Sequence, residues 1–332
     1  MKISNKELAE TLKVIDDIID YYKEQVPEKK RDWKTYEQQY VDRIKTLTRE
    51  LGPLIKESVK TIILVKGETR GTKPKLRLEQ KVTLLLLKHL FGKSNRMMAN
   101  MLAIFSLLTE IDVSYKSVER LYSDQNVVLA LHNLHILILR NKGVKEADTG
   151  GDGTGYTLKV KEHYATEAQK LKDKKSTKKK KYIFSFALMD IKTRMYIASG
   201  TSFKSEREAY IQTKKMAAES GIIIRCIRLD KYFSQQKSIR ELKKIFPEAI
   251  ISLIPKRNAT IKGPWEWKRM LYDFITDPIG YLEEYYKRNQ SESGFAEDKK
   301  RTGWMIMQQR PDRVDTADLL TKLWHNLFWM AD

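Results

Sequence analysis

Only one cysteine, Cys226, occurs among the 332 residues, which excludes an internal disulfide and any zinc site made of several thiolates. Histidine is scarce too, with five. The closest pair, His132 and His135 in LHNLHILIL, lies on so apolar a segment that it reads as part of a buried helix and not as a metal site. Long hydrophobic runs are missing. Residues 82–87 and 134–139 are the most apolar stretches, far short of the roughly 20 residues that cross a bilayer. The opening MKISNKELAE lacks the apolar region of a secretory signal. A cytoplasmic, nucleoid-associated protein with no membrane partner is the expectation.

Positive charge is what the chain has in excess. Sixty-three Lys and Arg against forty-three Asp and Glu give a net charge of +20 and a pI near 9.6. This balance favours a polyanionic partner, nucleic acid ahead of a membrane surface. Hydrophobic residues make up 41%, enough for a substantial core in a chain of roughly two domains' length.

Helical periodicity fills the front of the chain. Leu8, Leu12, Ile15, Ile18 and Ile19 recur at three- and four-residue spacing, and a similar rhythm runs over 36–55. Pro27 and the basic KGETRGTKPK at 66–75 mark breaks, so residues 1–75 are expected to form a helical arm or dimerisation region. Within 76–145, KSNRMMANMLAIFSLLTEIDVSYKSVERLYSD fits a helix-turn-helix. Ser94 would cap a helix over 95–108, a turn follows at 110–113, and Ser114 would cap a second helix through Tyr122. Tyr115, Lys116, Glu119 and Arg120 on that helix are residue types that reach phosphates and base edges. An ordinary helical hairpin fits the same segment equally well.

Residues 146–332 change character. ADTGGDGTGYTLKV reads as a Gly-interrupted strand, 182–202 as a hairpin turning at 190–193, and a helix capped by Ser205 runs to Glu219. Next, 221–230 is a strand ending on Asp230, followed by a helix near 235–245 and a buried strand in AIISLIP. This order, completed by further helices, matches a ribonuclease H-like mixed sheet flanked by helices, although other α/β folds share it. The lysine-rich run at 172–181 is either a solvated loop or a source of salt-sensitive affinity for DNA.

Four residues near the end, Tyr285, Arg288, Glu292 and Lys299, are separated by three, four and seven positions. On a single helix they share one narrow face. One carboxylate among two cations and a phenol suits a phosphodiester held beside a metal-binding acid; taken alone, a solvated charged face explains it as well. Asp152 lies in the first strand, Asp230 ends a later one and Glu292 sits on the late helix, so three carboxylates can converge. Such a cluster repels itself unless Mg²⁺ or Mn²⁺ occupies it. Two ions about 4 Å apart can activate a water or a 3′-hydroxyl and stabilise the leaving oxygen at phosphorus. Each acid has a plainer reading: Asp152 in a turn, Asp230 as a helix cap. Asp190 is read as a hairpin residue only. Lys256 and Arg257, just past AIISLIP, are placed to touch a phosphate; Trp265 or Trp267 could stack on an unpaired base, but beside Leu271, Tyr272 and Phe274 both are read as core.

Together these segments resemble an insertion-sequence transposase of the DDE class, in the branch with a Tyr-x2-Arg-x3-Glu-x6-Lys signature, and are most similar to archaeal members. The resemblance rests on GDGTGYT, SFALMDIKTRMYI, IRLDKYFS, IPKRNATIKG and YKRNQSESGFAEDKKRTGW, and covers residue 93 to the C-terminus. It implies DNA as partner, both element ends and target, and a homodimer on that DNA. It also implies Asp152, Asp230 and Glu292 as a triad holding a pair of Mg²⁺ or Mn²⁺ ions, with Tyr285, Arg288 and Lys299 holding the strand end. One departure is plain: sixty-two positions separate Asp230 from Glu292, too few for the long β-rich insertion of better-known members, and the intervening segment reads as helical. Two rival readings stay open, a non-catalytic DNA-binding regulator or domesticated transposase remnant, and a metal-dependent nuclease that cuts without strand transfer.

Overall fold

The computed structural model describes residues 4–25, 32–62, 76–92, 96–102, 113–158, 182–308 and 310–331. The expected breaks at Pro27 and 66–75, residues 110–112 of the expected turn and residues 95 and 103–108 of the first helix of the helix-turn-helix, and the lysine-rich run at 172–181 lie outside the described residues. The front half is helical: α1 (Asn5–Lys13), α2 (Ile15–Gln25), α3 (Trp33–Lys60), α4 (Leu78–Leu90), α5 (Tyr115–Leu121) and α6 (Gln125–Asn141), with residues 96–102 helical as well. Local chemistry starts these helices. Ser4 and Glu7 form a capping box on α1, Ser114 caps α5, and Asp124 accepts from the Asn126 and Val127 N–H groups to cap α6. His132 and His135 share α6, and His135 is buried with Nε2 3.0 Å from the Ile197 carbonyl.

The back half runs β1 (Glu146–Leu158), β2 (Tyr182–Asp190), β3 (Tyr196–Ser202), α7 (Glu206–Glu219), β4 (Ile223–Leu229), α8 (Gln236–Ile245), β5 (Ile250–Leu253), α9 (Trp265–Thr276), α10 (Pro278–Tyr286), α11 (Asn289–Thr302), β6 (Met305–Ile306) and α12 (Pro311–Met330). The sheet order is β3-β2-β1-β4-β5, with β6 also paired to β1. The β1–β2 and β2–β3 pairs are antiparallel, while β1–β4, β4–β5 and β1–β6 are parallel. This is a mixed sheet flanked by helices, as the strand order predicted. Asp190 holds the hairpin, accepting from Thr193 N–H at 2.8 Å and Asp148 N–H at 3.0 Å. Helix α7 packs on β2 and β3, while α11 and α12 also pack against the sheet. β4 pairs with β1 only from Glu146 to Gly150, and β6 only at Thr157 and Leu158. Residues 151–156 are therefore unpaired on that edge among the described residues.

One hydrophobic cluster extends from Leu8 to Trp329, and α12 is its spine, packing on α3, α4, α6 and β3. Because α12 is buried almost all round, its polar side chains need internal partners. Trp324 Nε1 donates to the Leu86 carbonyl at 2.9 Å, and Asn326 brackets the backbone N–H and C=O of Tyr196 at 2.7 and 2.8 Å. Lys322 is 0% exposed and lies 3.5 Å from Asp298 and 3.8 Å from Asp318. Burial opposes its charge, but Tyr156, Asp318 and Asp298 outweigh burial and raise its pKa. The N-terminal helices fold back on the same body: α1 packs on α9 and α2 on α10, with Tyr22 stacked on Tyr286 at 5.3 Å.

Two expectations need correction. The face from Tyr285 to Lys299 is not carried by one helix. α10 ends at Tyr286 and α11 begins at Asn289, because Arg288 N–H bonds to the Tyr285 carbonyl and Ser291 N–H to that of Arg288, three-residue bonds that tighten the chain. Trp267 is core, its Nε1 donating to the Thr260 carbonyl at 2.7 Å, but Trp265 is 59% exposed. Residues two apart on a helix point to different sides.

Replacing Lys322 with Met should leave Asp318 without its cation and Asp298 with only His325 and Arg301, and cost about 3–5 kcal/mol, read from urea unfolding; a smaller loss would remove the ion cluster from its central role. Burial pushes His135 down to about 4 and His89 down to about 3, against an ordinary 6.5. The unfolded chain then takes up more protons as pH falls below 6.5, and stability should decline from pH 6.5 to about 4 through His135 and on to about 3 through His89. His135→Gln should flatten that decline in urea midpoints measured across the range.

Candidate active site

Four glycines crowd β1 at positions 150, 151, 153 and 155. At Gly150 a Cβ would sit 2.9 Å from both Arg288 Cα and Ser291 Oγ, so a bare backbone is what lets α11 settle on the strand. Ser291 Oγ fastens the approach by donating to the Gly150 carbonyl at 2.9 Å. Side chains alternate along a strand, so Asp152 projects on the side that Arg288 and Ser291 cover.

Asp152, Asp230 and Glu292 come from the open stretch of β1, the residue after β4, and the first turn of α11. Asp230 Oδ1 caps the turn Lys231–Phe233 by accepting from Tyr232 N–H at 2.8 Å. Its other oxygen lies 3.4 Å from Arg288 Nη2; Glu292 Oε1 is 3.2 Å from the same nitrogen, and Asp152 Oδ1 is 3.7 Å from Nη1. A single guanidinium thus meets all three acids. Its side chain is 9% exposed, and it lies over the Tyr285 ring, 5.4 Å from the centroid. Burial opposes the Arg288 charge, but Tyr285, Asp152, Glu292 and Asp230 outweigh it and raise the pKa. Asp152 is pushed up to about 6, chiefly by burial, with Glu292 and Glu206 adding to the rise while Gly153 N–H and Arg288 oppose it.

The remaining residues singled out in the sequence occupy three different settings. Tyr285 is 1% exposed and touches Arg288 from below, so it orients that side chain and has no free face. Lys299 Nζ donates to Thr154 Oγ1 at 2.6 Å and lies 4.7 Å from the centroid of Trp304, on the same side of β1 as Asp152 and farther along the strand. Burial, together with the charge of Lys322, lowers its pKa. Lys256 lines a hollow with Ser234, Gln236, Asn258 and Trp267, and Arg257 pairs with Asp16 of α2. Tyr115, Lys116 and Arg120 are exposed on α5, where the Arg96 guanidinium covers the Tyr115 ring and Glu119 pairs with Arg313.

Sequence reasoning missed Glu206. It opens α7 behind the Ser205 cap, where an acid reads as a complement to the helix dipole. Its carboxylate lies against Gly153, and a Cβ at that glycine would overlap it. The signal available was the glycine after Asp152, which leaves room on the opposite side of the strand.

Hard carboxylate oxygens are the donor type that Mg²⁺ and Mn²⁺ take, and the three acids face a common centre. Among the described residues no three acids stand close enough as placed to grip one ion, because Arg288 stands between them. That guanidinium is imperfectly satisfied: Nε and Nη1 have no hydrogen-bond partner. The donor set fits a divalent cation on condition that Arg288 gives way. In EDTA, Arg288→Ala should move Asp152 above its value of about 6 and Glu292→Gln should move it below; carboxyl ¹³C titration reads both, and shifts of the opposite sign would contradict this electrostatic account.

No family model matches the chain, and no solved structure matches it. Among curated proteins it is 37% identical over 329 residues to the "probable transposase for insertion sequence element ISA1214" of Archaeoglobus fulgidus, a match that covers 98% of this chain and 97% of that protein. Identity at that level over nearly the whole length of both proteins means that the chain belongs to the insertion-sequence transposases.

Proposed function

We propose that the protein is a DDE-class DNA transposase that binds the ends of its element and performs metal-dependent hydrolysis and strand transfer. The observation that carries this reading is the convergence of Asp152, Asp230 and Glu292 on one buried guanidinium. The strand order, with β1 antiparallel to β2 and parallel to β4, supports a ribonuclease H-like assignment. Every residue from Asp230 to Glu292 is described, and within that stretch the only strand is β5, which argues against a route depending on a β-rich insertion.

In this mechanism Asp152, Asp230 and Glu292 would hold Mg²⁺ or Mn²⁺, and such ions, when bound, would supply activation of a water or 3′-hydroxyl and stabilisation of the leaving oxygen. Arg288, released from the acids, offers a planar donor fork that pairs with a phosphate. Tyr285 keeps that fork in plane, and Lys299 beside Thr154 neutralises a phosphate farther along β1. The exposed Tyr115, Lys116 and Arg120 of α5 suit end recognition by a helix-turn-helix, and the net charge of +20 supports sequence-independent affinity for DNA. Two copies acting on two ends would account for joining them.

Even an outer partner of a metal ligand is worth about 10–100-fold, so Asp152→Asn should lower Mg²⁺-dependent cleavage of end DNA by more than about 100-fold and leave gel-shift affinity largely intact. An active variant would sink the role of Asp152. A strand-transfer assay with labelled ends separates the rivals: joined product supports transposition, cleavage alone a nuclease, and neither a DNA-binding regulator.

A further inference from the structure

Lys256 stands in a hollow of about 170 Å³. That is below the roughly 300 Å³ at which sites for whole small molecules begin, so the hollow suits one small group. The start of α8 forms part of its wall, through Gln235 and Gln236. No side chain caps that helix and its first turn carries no acid. The N–H groups of Gln236, Lys237 and Ser238 therefore have no intrahelical partner, and a helix end of this kind attracts an anion.

Ser234 is a second and independent feature. It is 5% exposed, lies on the wall of the hollow, and its Oγ has no hydrogen-bond partner. A buried hydroxyl left unbonded carries a cost that an acceptor in the hollow would relieve. Lys256 supplies the charge. Among the described residues it has no ion pair, whereas its neighbour Arg257 is committed to Asp16, and no acid is among the described residues that line the hollow.

The loop that carries Lys256 is fastened in place. Trp267 Nε1 donates to the Thr260 carbonyl at 2.7 Å, Ile261 N–H to Asn5 Oδ1 at 3.2 Å, and Gln236 Nε2 to the Lys262 carbonyl. Gly263 permits the last of these: its φ is +148°, and a Cβ there would lie 2.8 Å from Gln236 Cδ. These donors also lie near the acids. Asp230 caps the turn Lys231–Phe233 that leads into Ser234, and four residues at about 2 Å each span roughly 8 Å.

Resting on the reading of the chain as a DNA-cutting transposase, we propose that this hollow is a phosphate subsite, holding one backbone phosphate of a DNA strand close to the phosphodiester at Asp152, Asp230 and Glu292. Lys256 neutralises that phosphate, while Ser234 Oγ and the first N–H groups of α8 donate to it.

Affinity of the full chain for a mixed-sequence DNA duplex, followed by fluorescence anisotropy across a salt series, tests this without reference to activity. One phosphate contact contributes about 0.9 to the slope of log K against log salt, so Lys256→Met should lower the slope by about that much and weaken binding about 5–10-fold at 0.1 M salt. An equal loss with Lys244→Met, at the far end of α8, would reduce the effect to overall charge and overturn the site. Ser234→Ala should weaken binding about 10-fold, yet leave the urea midpoint of the free protein unchanged or higher, because its hydroxyl has no bond there to lose. A lower midpoint with unaltered affinity would make Ser234 structural and remove it from the site. If inorganic phosphate binding is lost in Lys256→Met while DNA affinity is untouched, the occupant is a free anion and the DNA assignment is overturned. If the unsubstituted chain binds DNA and neither variant changes affinity or slope, the subsite is overturned and the reading of the three acids stands. If the unsubstituted chain shows no salt-sensitive DNA binding, the DNA-cutting reading fails and this proposal with it.

Discussion

The buried cation on α12 is the constraint from which the rest of the structure follows. Lys322 stands without solvent between Asp298 of α11 and Asp318 of its own helix, ringed by Tyr156, Tyr196 and Phe295. Charges this deep are tolerated only in a tight range of geometry, because Coulomb attraction must repay desolvation. That requirement fixes α11 relative to both α12 and the sheet. Asp298 adjoins Lys299 in sequence and lies less than two turns after Glu292 on the same helix, so what fixes Asp298 also sets the height and rotation of the acid-bearing face. His325, 2.8 Å from Asp298 and 2.8 Å from the Arg194 carbonyl, ties the same cluster to the turn between β2 and β3.

A second guanidinium and its acids sit on the other side of the candidate site. Arg228 of β4 is almost wholly buried and pairs with Asp148 of β1 and Glu284 of α10. It clamps β1, β4 and α10 together just below the place where β4 ends and Asp230 begins. Arg228 and Arg288 therefore work at successive levels, the first holding strands and helix in register, the second gathering acids that would otherwise repel. The difference lies in satisfaction. Arg228 donates through Nε, Nη1 and Nη2 to oxygen acceptors, whereas Arg288 leaves two nitrogens without a hydrogen bond. A fully bonded guanidinium is a structural rivet; a partly bonded one retains free energy to spend on a different partner.

What the sequence made legible was the part governed by local rules. Strand alternation, the Ser205 cap, the turn at Asp190 and the apolar stripe on α6 all follow from neighbours within a few positions, and the structure has each where periodicity and capping placed it. The strands that carry Asp152 and precede Asp230 were legible from their β-rich patterning, whereas Glu292 was read in the middle of a helix that begins only at Asn289. Features set by distant packing were hidden. Nothing near Arg288 in the chain announces that the helix pauses there, since the pause accompanies a side chain drawn toward acids 58 and 136 positions away in sequence. Glu206 was masked by its ordinary role as a first-turn acid, and Tyr285, a residue type equally at home in solvent, proved to be a buried plate beneath a guanidinium.

α12 follows α3, α4 and α6 in the chain with the whole sheet between them, and this order has a consequence for synthesis. The three front helices emerge earlier and pack on one another, yet the surface they share is closed by a helix translated after the sheet. Until α12 has emerged that surface lacks its cover, and the edge strand β3 lacks the Asn326 side chain that saturates Tyr196. The core of the front half is therefore closed only once α12 has been made. A product interrupted before Pro311 would leave both halves open, exposed to aggregation and proteolysis instead of persisting as a folded DNA-binding fragment.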